Sequence, residues 1–199
     1  IPMIVWFGLI NALPKGFQNM VDPVYLGFMV SGYIVILNSL APLLVQVANP
    51  TEQLLDGHPV ANIAKELSEK AGVTVDSIRV IKVGETRVAN ALVSGLWPWL
   101  RRIYITDHMI ETFELKEIRT ILAHEFGHLK HRHLWLHAAV ALGGALIILP
   151  VSQFLNEFEF FRATMLGLLI PLFLYWGVGF RFLSRRFERE ADRFAVSAT

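Results

Sequence analysis

Three long runs without charged residues constrain the fold of this chain more than any other feature. Residues 23–51 contain no charged side chain, and a helix over Val24–Val47 would be about 36 Å long. Residues 134–155 and 163–180 form two further uncharged runs. A helix of roughly 20 apolar residues crosses the bilayer's hydrocarbon core, which is about 30 Å thick. The sequence therefore predicts three transmembrane helices.

Composition excludes several other classes of protein. The apolar fraction is 54%, above the roughly 45–50% of a typical soluble domain, and so much apolar surface is incompatible with a disordered chain. The chain has no cysteine, which rules out a small disulfide-stapled module. Its net charge of +1 provides no electrostatic basis for binding nucleic acid, and we expect no nucleic-acid partner.

The region between the first two uncharged runs has a different character. Residues 52–133 hold 11 of the 18 lysine and arginine side chains, which is typical of a water-exposed domain. A helix is predicted over residues 59–70, with Gly72 as its C-terminal stop. Alternating apolar residues predict three strands, and two helices are expected after them. The predicted strands cover residues 75–83, 88–94 and 102–106, and the two helices cover 107–113 and 115–133.

The chemistry is concentrated in the sequence His124-Glu125-Phe126-Gly127-His128, an HExxH motif. Residues four apart project from one face of a helix, so His124 and His128 can reach a single ion. Glu125 points to the side, where it can handle a water molecule without occupying the metal. The motif therefore predicts a zinc site with Glu125 as the catalytic acid or base.

A catalytic zinc needs a third protein ligand and an open fourth position. His131 lies on the helix face of His124, but two turns along the axis and too far to share its ion. Glu188 and Asp192, after the last uncharged run, lie four residues apart on one helix face. We predict that Glu188 is the ligand and that Asp192 orients a ligand histidine. Glu190 remains the alternative ligand.

Two further histidines follow the motif at positions 133 and 137. On a continuous helix they would lie about 180° and 220° from His124, on the opposite face. We therefore expect His133 and His137 to form hydrogen bonds between helices, or to lie at the membrane interface, rather than to bind the metal.

Membrane topology provides an independent check on the third ligand. Two predicted crossings separate His128 from Glu188, so the chain returns to the side that it left. The loop over residues 156–162, on the other side, has Arg162 as its single base. The excess of bases beside the metal residues places them in the cytoplasm. These bases are Lys130, Arg132, Arg181, Arg185, Arg186 and Arg189.

The combination of motifs resembles a known family. The sequences HEFGH at residues 124–128 and SRRFEREAD at residues 184–192 are similar to those of integral-membrane zinc metallopeptidases of the CAAX prenyl protease 1 and HtpX types. The sequences NALVSG at 90–95 and RIYITD at 102–107 resemble the edge strand and following strand that precede the active-site helix there. The resemblance covers roughly residues 55–195.

The resemblance implies a function and a set of site residues. It implies one Zn²⁺ bound by His124, His128 and Glu188, with Glu125 as the catalytic acid and base of a zinc endopeptidase. A peptide or protein substrate would add as a strand along residues 88–94, at Asn90 and Ala91. Asn90 would either bind a backbone carbonyl of the substrate or cap a turn. Two alternatives remain open: a signal-transducing metalloprotease of the antibiotic-sensor type, and a non-catalytic membrane metal-binding protein.

The expected fold is a mainly α membrane protein with a small β-sheet. A zincin-like α+β catalytic domain is inserted between its transmembrane helices, in a bacterial inner membrane or an equivalent bilayer. Because the family pattern has a later segment with histidine and arginine, we expect this chain to be a fragment. The predicted divisions are an N-terminal stump or interfacial segment (1–23), a span (24–48), the catalytic domain (49–133), a span (134–155), a loop (156–162), a span (163–183) and a helix with the third ligand (184–199).

Overall fold

The described residues form a mostly helical protein with one small sheet. The structure, a computed structural model, describes residues 23–164 and 166–199. The stump or interfacial segment predicted at residues 1–23 therefore lies, apart from its last residue, outside the described residues. The helices are α1 (Pro23–Ala48), α2 (Pro59–Ala71), α3 (Asp107–Thr112), α4 (Leu115–Lys130), α5 (His133–Asn156), α6 (Glu159–Thr164), α7 (Leu166–Leu172) and α8 (Arg181–Ala198), with a π-helical segment at Phe173–Phe180.

Three helical stretches among the described residues are long and apolar enough to cross a membrane. They are Ser31–Ala48, His133–Asn156 and Leu166–Ala198. Helices α1 and α5 pack against each other, and the Ser31 hydroxyl of α1 donates a hydrogen bond to the Leu142 carbonyl of α5. The predicted class, a mainly α membrane protein with a small sheet, is confirmed.

Four strands of the described residues form one mixed sheet in the order β1-β2-β4-β3. Strand β4 is parallel to β2 and antiparallel to β3, while β1 is antiparallel to β2. β4 has its predicted bounds, whereas β2 and β3 are shorter than predicted and β1 was not predicted. Because β1 has three residues, it carries no readable alternation of its own. The strands are β1 (Thr51–Gln53), β2 (Ser77–Ile81), β3 (Ala91–Ser94) and β4 (Arg102–Thr106).

Strand β4 connects the water-exposed domain to the membrane helices. Its Ile103 and Ile105 are buried in a core shared with α2, α4 and α8. Tyr104 between them is also fully buried, and its hydroxyl donates a 2.6 Å hydrogen bond to the Pro42 carbonyl of α1. Since successive side chains of a strand point to opposite faces, β4 lies between the helical core and the end of α1.

Helix α4, which carries the HExxH motif, is shorter than predicted. It begins with a capping box in which Glu117 accepts a 2.9 Å hydrogen bond from the Glu114 N–H. The prediction of one helix over residues 115–133 is wrong, because the helix ends at Lys130. Arg132 follows with a left-handed φ of 57°, and a separate helix, α5, begins at His133.

Candidate metal centre

Helix α4 holds the two motif histidines side by side. His124 Nε2 and His128 Nε2 are 3.1 Å apart, and the two rings meet edge to face. This follows from their spacing, because residues four apart on an α-helix lie one above the other. Two imidazole nitrogens therefore face one point in space.

A carboxylate from α8 completes the cluster. Glu188 Oε2 lies 3.3 Å from His124 Nε2 and 3.7 Å from His128 Nε2. The three atoms form a triangle with sides of 3.1, 3.3 and 3.7 Å. Two ligand atoms that each lie about 2.0–2.1 Å from a tetrahedral ion are about 3.4 Å apart, which is close to the length of each side. His124, His128 and Glu188 thus form a group that could hold a metal ion. The donor set of two imidazoles and one carboxylate suits zinc.

Asp192 lies one turn after Glu188 and contacts the other side of His124. Its Oδ1 is 2.9 Å from His124 Nδ1, and its side chain is 67% exposed. An acceptor on Nδ1 stabilises the tautomer that has a free lone pair on Nε2, the nitrogen that faces the cluster.

Helix α8 comes this close because the motif has a glycine in its fourth position. A Cβ atom on Gly127 would lie 2.7 Å from the Ala191 Cα and 2.9 Å from its carbonyl oxygen. Both atoms belong to the backbone, so a side chain would force the helices apart. Ala191 is fully buried and lies between Glu188 and Asp192 on α8.

We expect Gly127→Leu to destabilise the protein, because the larger side chain must displace the α8 backbone. The measurement is the thermal unfolding temperature in detergent, which should fall by several degrees. Gly32→Leu is the matched control, since a Cβ on this helical glycine has nothing within 4 Å. An equal effect of the two substitutions would contradict the close packing of α4 on α8.

Glu125 lies between the metal cluster and the sheet. Its Oε2 accepts a 3.1 Å hydrogen bond from the Val93 N–H of β3, a contact that the sequence analysis did not predict. Burial raises the pKa of the Glu125 carboxyl to about 7, although His124 and the Val93 N–H act to lower it. Near neutral pH this carboxyl can therefore both accept and release a proton.

His128 is more buried than His124 and has a different partner. Burial lowers the pKa of His128 to about 4, so its imidazole is neutral at physiological pH, the form that binds a metal. Its Nδ1 lies 2.8 Å from the Nδ1 of His133. The prediction that His133 forms hydrogen bonds is confirmed, but its predicted placement on the opposite face is wrong because α4 has already ended.

The remaining candidates from the sequence lie outside the cluster of donor atoms. His131 is exposed, and its ring stacks on that of His133 with centroids 5.6 Å apart. Glu190 contacts His133 Nε2 at 3.1 Å rather than the two motif histidines. The ring of His137 packs against Phe180 and Phe187.

The predicted substrate-binding residues lie at the start of the outer strand of the sheet. Asn90 is exposed, and its backbone exchanges hydrogen bonds with Thr106 at the end of β4. Ala91 pairs with Ile105. In the order β1-β2-β4-β3, β3 is the outer strand, and its Val93 N–H points away from β4 toward Glu125.

The candidate metal site thus combines an HExxH helix with a glutamate from the third of the membrane-length helical stretches. The chain belongs to Peptidase family M48, whose family model matches residues 55–199. Membership of this metallopeptidase family implies a metal ion, and the resemblance to the HtpX and CAAX prenyl protease 1 types is confirmed.

Individual relatives come from both types. The chain is 26% identical over 118 residues to a protease HtpX homolog from Caldanaerobacter subterraneus, a match covering 59% of this chain and 33% of that protein. It is 27% identical over 123 residues to a CAAX prenyl protease 1 homolog from Dictyostelium discoideum, covering 54% of this chain and 29% of that protein. Protease HtpX from Legionella pneumophila is 31% identical over 96 residues, a match covering 48% of this chain and 33% of that protein. The chain spans about a third of the length of these curated relatives.

Similarity to a solved structure supports the fold. The crystal structure of S. mikatae Ste24p matches with a TM-score of 0.72 at 19% sequence identity. The match covers 98% of this chain and 52% of the Ste24p chain. At this identity the similarity shows a shared fold alone.

Proposed function

We propose that this chain carries the catalytic centre of a membrane-embedded zinc endopeptidase. His124, His128 and Glu188 would bind one Zn²⁺, and Glu125 would act as the general base. The observation that carries the proposal is the triangle of ligand atoms, with edges of 3.1, 3.3 and 3.7 Å. Three protein ligands leave the fourth position of a tetrahedral ion open, as catalytic zinc sites require.

The proposed reaction is hydrolysis of a peptide bond. When bound, zinc would lower the pKa of a water molecule and polarise the scissile carbonyl. Glu125 removes a proton from the water as its oxygen bonds to the carbonyl carbon. The same carboxyl then gives the proton to the amide nitrogen as the C–N bond breaks. A pKa of about 7 suits both the removal of the proton and its release. The hydrogen bond from the Val93 N–H keeps the Glu125 carboxylate in position from the first step to the second.

We propose that the substrate binds as an extended strand along β3. This strand pairs with β4 on one side, and its backbone groups at Ala91 and Val93 face the other. Because the Val93 N–H already donates a hydrogen bond to Glu125, the added strand would pair with the backbone of Ala91. The exposed side chain of Asn90, one residue earlier, would contact a substrate carbonyl.

We also propose the membrane sidedness and the domain division predicted from the sequence. Basic residues flank the proposed metal site, which supports a cytoplasmic catalytic side. The catalytic domain over residues 49–133 would lie between spans at 24–48, 134–155 and 163–183. The connection at 156–162, which includes the first residues of helix α6, would face the other side, and residues 184–199 would carry the third ligand.

The match to a peptidase family supports a protease over a non-catalytic metal-binding protein. A non-catalytic metal-binding protein has no use for an acid held beside the ligands as Glu125 is. A signal-transducing metalloprotease would share the catalytic residues and differ in the protein that it cleaves. Prenylated tails, membrane proteins and unmodified peptides remain alternative substrates.

The test of this proposal is a metal-dependent peptidase assay on the full-length protein in detergent. We expect about one zinc per chain, loss of cleavage after chelation, and recovery when zinc is restored. Casein and a prenylated peptide serve as the two substrates. Purified protein without zinc, or cleavage that persists after complete removal of the metal, would contradict the proposed function.

A further inference from the structure

A continuous chain of hydrogen-bonding groups runs from His128 to the surface. His128 Nδ1 lies 2.8 Å from His133 Nδ1, and His133 Nε2 lies 3.1 Å from Glu190 Oε2. The other oxygen of Glu190 accepts a 3.0 Å hydrogen bond from Arg186 Nε. These contacts join α4, the first residue of α5, and α8.

The local backbone explains how His133 reaches His128. Arg132, with a φ of 57°, interrupts the helix between α4 and α5, and His133 then contacts His128 of the helix that it follows. Its side chain is fully buried, and its ring stacks on Phe187 of α8 at a centroid distance of 4.6 Å. The packing therefore holds this imidazole in one orientation.

The geometry is consistent with one assignment of protons. If Nε2 of His128 faces a metal, its lone pair must be free and its Nδ1 must carry the proton. His128 Nδ1 then donates to His133 Nδ1, which must be the unprotonated nitrogen of that ring. The proton of His133 therefore lies on Nε2, which donates to Glu190. Each nitrogen and oxygen in the chain has a complementary partner.

We propose that His133, supported by Glu190, is a positioning residue that selects the metal-binding tautomer and orientation of His128. This inference rests on the proposed metal site. The two ligand histidines are then held differently: His124 directly by the exposed Asp192, and His128 by a buried imidazole backed by a carboxylate. Through His133, the first residue of α5, the metal site is coupled to the beginning of a membrane helix.

The first experiment measures zinc affinity by competition with a chelator, using the full-length protein in detergent. His133→Phe keeps the ring that stacks on Phe187 but removes both nitrogens, and we expect zinc to bind about 10–100-fold more weakly. His133→Asn places an amide oxygen near the position of Nδ1, so it should recover most of the affinity. His137→Phe is the matched control, because His137 also packs its ring on Phe187 and should leave the affinity unchanged.

A second readout separates positioning from general stability. Cobalt substituted into the site should give a shifted visible absorption spectrum in His133→Phe and a spectrum like that of the parent protein in His137→Phe. A purely structural role would lower the unfolding temperature without changing the spectrum of the folded protein.

If His133→Phe does not fold, Glu190→Ala tests the outer part of the series of hydrogen-bonded groups that begins at His128. Glu190 is partly exposed, so its loss leaves the core intact, and we expect about 10-fold weaker zinc binding. Parent-like affinity and cobalt spectra in Glu190→Ala and in every folded His133 variant would overturn the positioning role while leaving the proposed protease unaffected. Failure of the parent protein itself to bind zinc would overturn both.

Discussion

Replacing Glu125 with glutamine should lower peptide hydrolysis by about 10²–10⁴-fold without removing the metal. Glutamine retains the size of the side chain and an oxygen that can accept the Val93 N–H, but it cannot take a proton from water. The zinc content and the unfolding temperature should therefore stay close to those of the parent protein. The measurements are the cleavage rate at saturating substrate and the metal content of the same sample.

The control for this substitution is Glu69→Gln, which changes an exposed glutamate on α2, far from the motif in sequence. It should leave the cleavage rate unchanged. If Glu125→Gln kept its zinc and cleaved at the parent rate, Glu125 would not be the general base, and another group would have to accept the proton.

Glu188→Ala should weaken zinc binding by at least about a hundredfold, because it removes a direct ligand. Loss of a residue that only orients a ligand typically costs 10–100-fold in affinity. The two histidines would remain 3.1 Å apart on α4, but the carboxylate 3.3 and 3.7 Å from them would be gone. Cleavage should fall with the metal content and recover in part at high zinc concentration.

Glu69→Ala is the matched control for this second substitution, since it removes an exposed helical glutamate outside the site. Zinc affinity in the control should equal that of the parent protein. An affinity unchanged in Glu188→Ala would mean that the metal is bound without α8, and the alternative ligand Glu190 would then need the same test.

Much of the fold followed from local patterns in the sequence. Uncharged runs of membrane-spanning length predicted the three long helical stretches, because length and hydropathy decide whether a helix can cross a bilayer. The bounds of β4 were also readable from its alternation. The three-residue strand β1 was not, because its pairing with β2 holds it in place rather than any pattern of its own.

The end of α4 shows where local reasoning fails. Nothing in the sequence Lys130-His131-Arg132-His133 is a strong helix stop, and a continuous helix was the natural prediction. In the structure the left-handed Arg132 ends that helix, and packing against α8 buries His133. The prediction that assumed one continuous helix therefore placed His133 on the wrong face.

The π-helical segment at Phe173–Phe180 is a second such case. The uncharged run over residues 163–180 predicted one regular span, since hydropathy does not distinguish helix types. Pro171 lies just before the segment and has no N–H to donate to the α-helical ladder. The helix type of this segment could therefore not be read from apolar character.

The amino-acid order alone determined the spacing of the two histidines within one helix, because that spacing is a property of a short stretch. It also determined the apolar runs on either side of the HExxH helix, which are long enough to cross a membrane. Tertiary structure decided which carboxylate of α8 faces those histidines, and that His133 and Val93 contact His128 and Glu125. These contacts join residues far apart in the chain or across a helix break. The approach of α8 depends on how closely Gly127 lets the two helices pack, and the His133–His128 contact depends on the backbone angle at Arg132; no local periodicity encodes either.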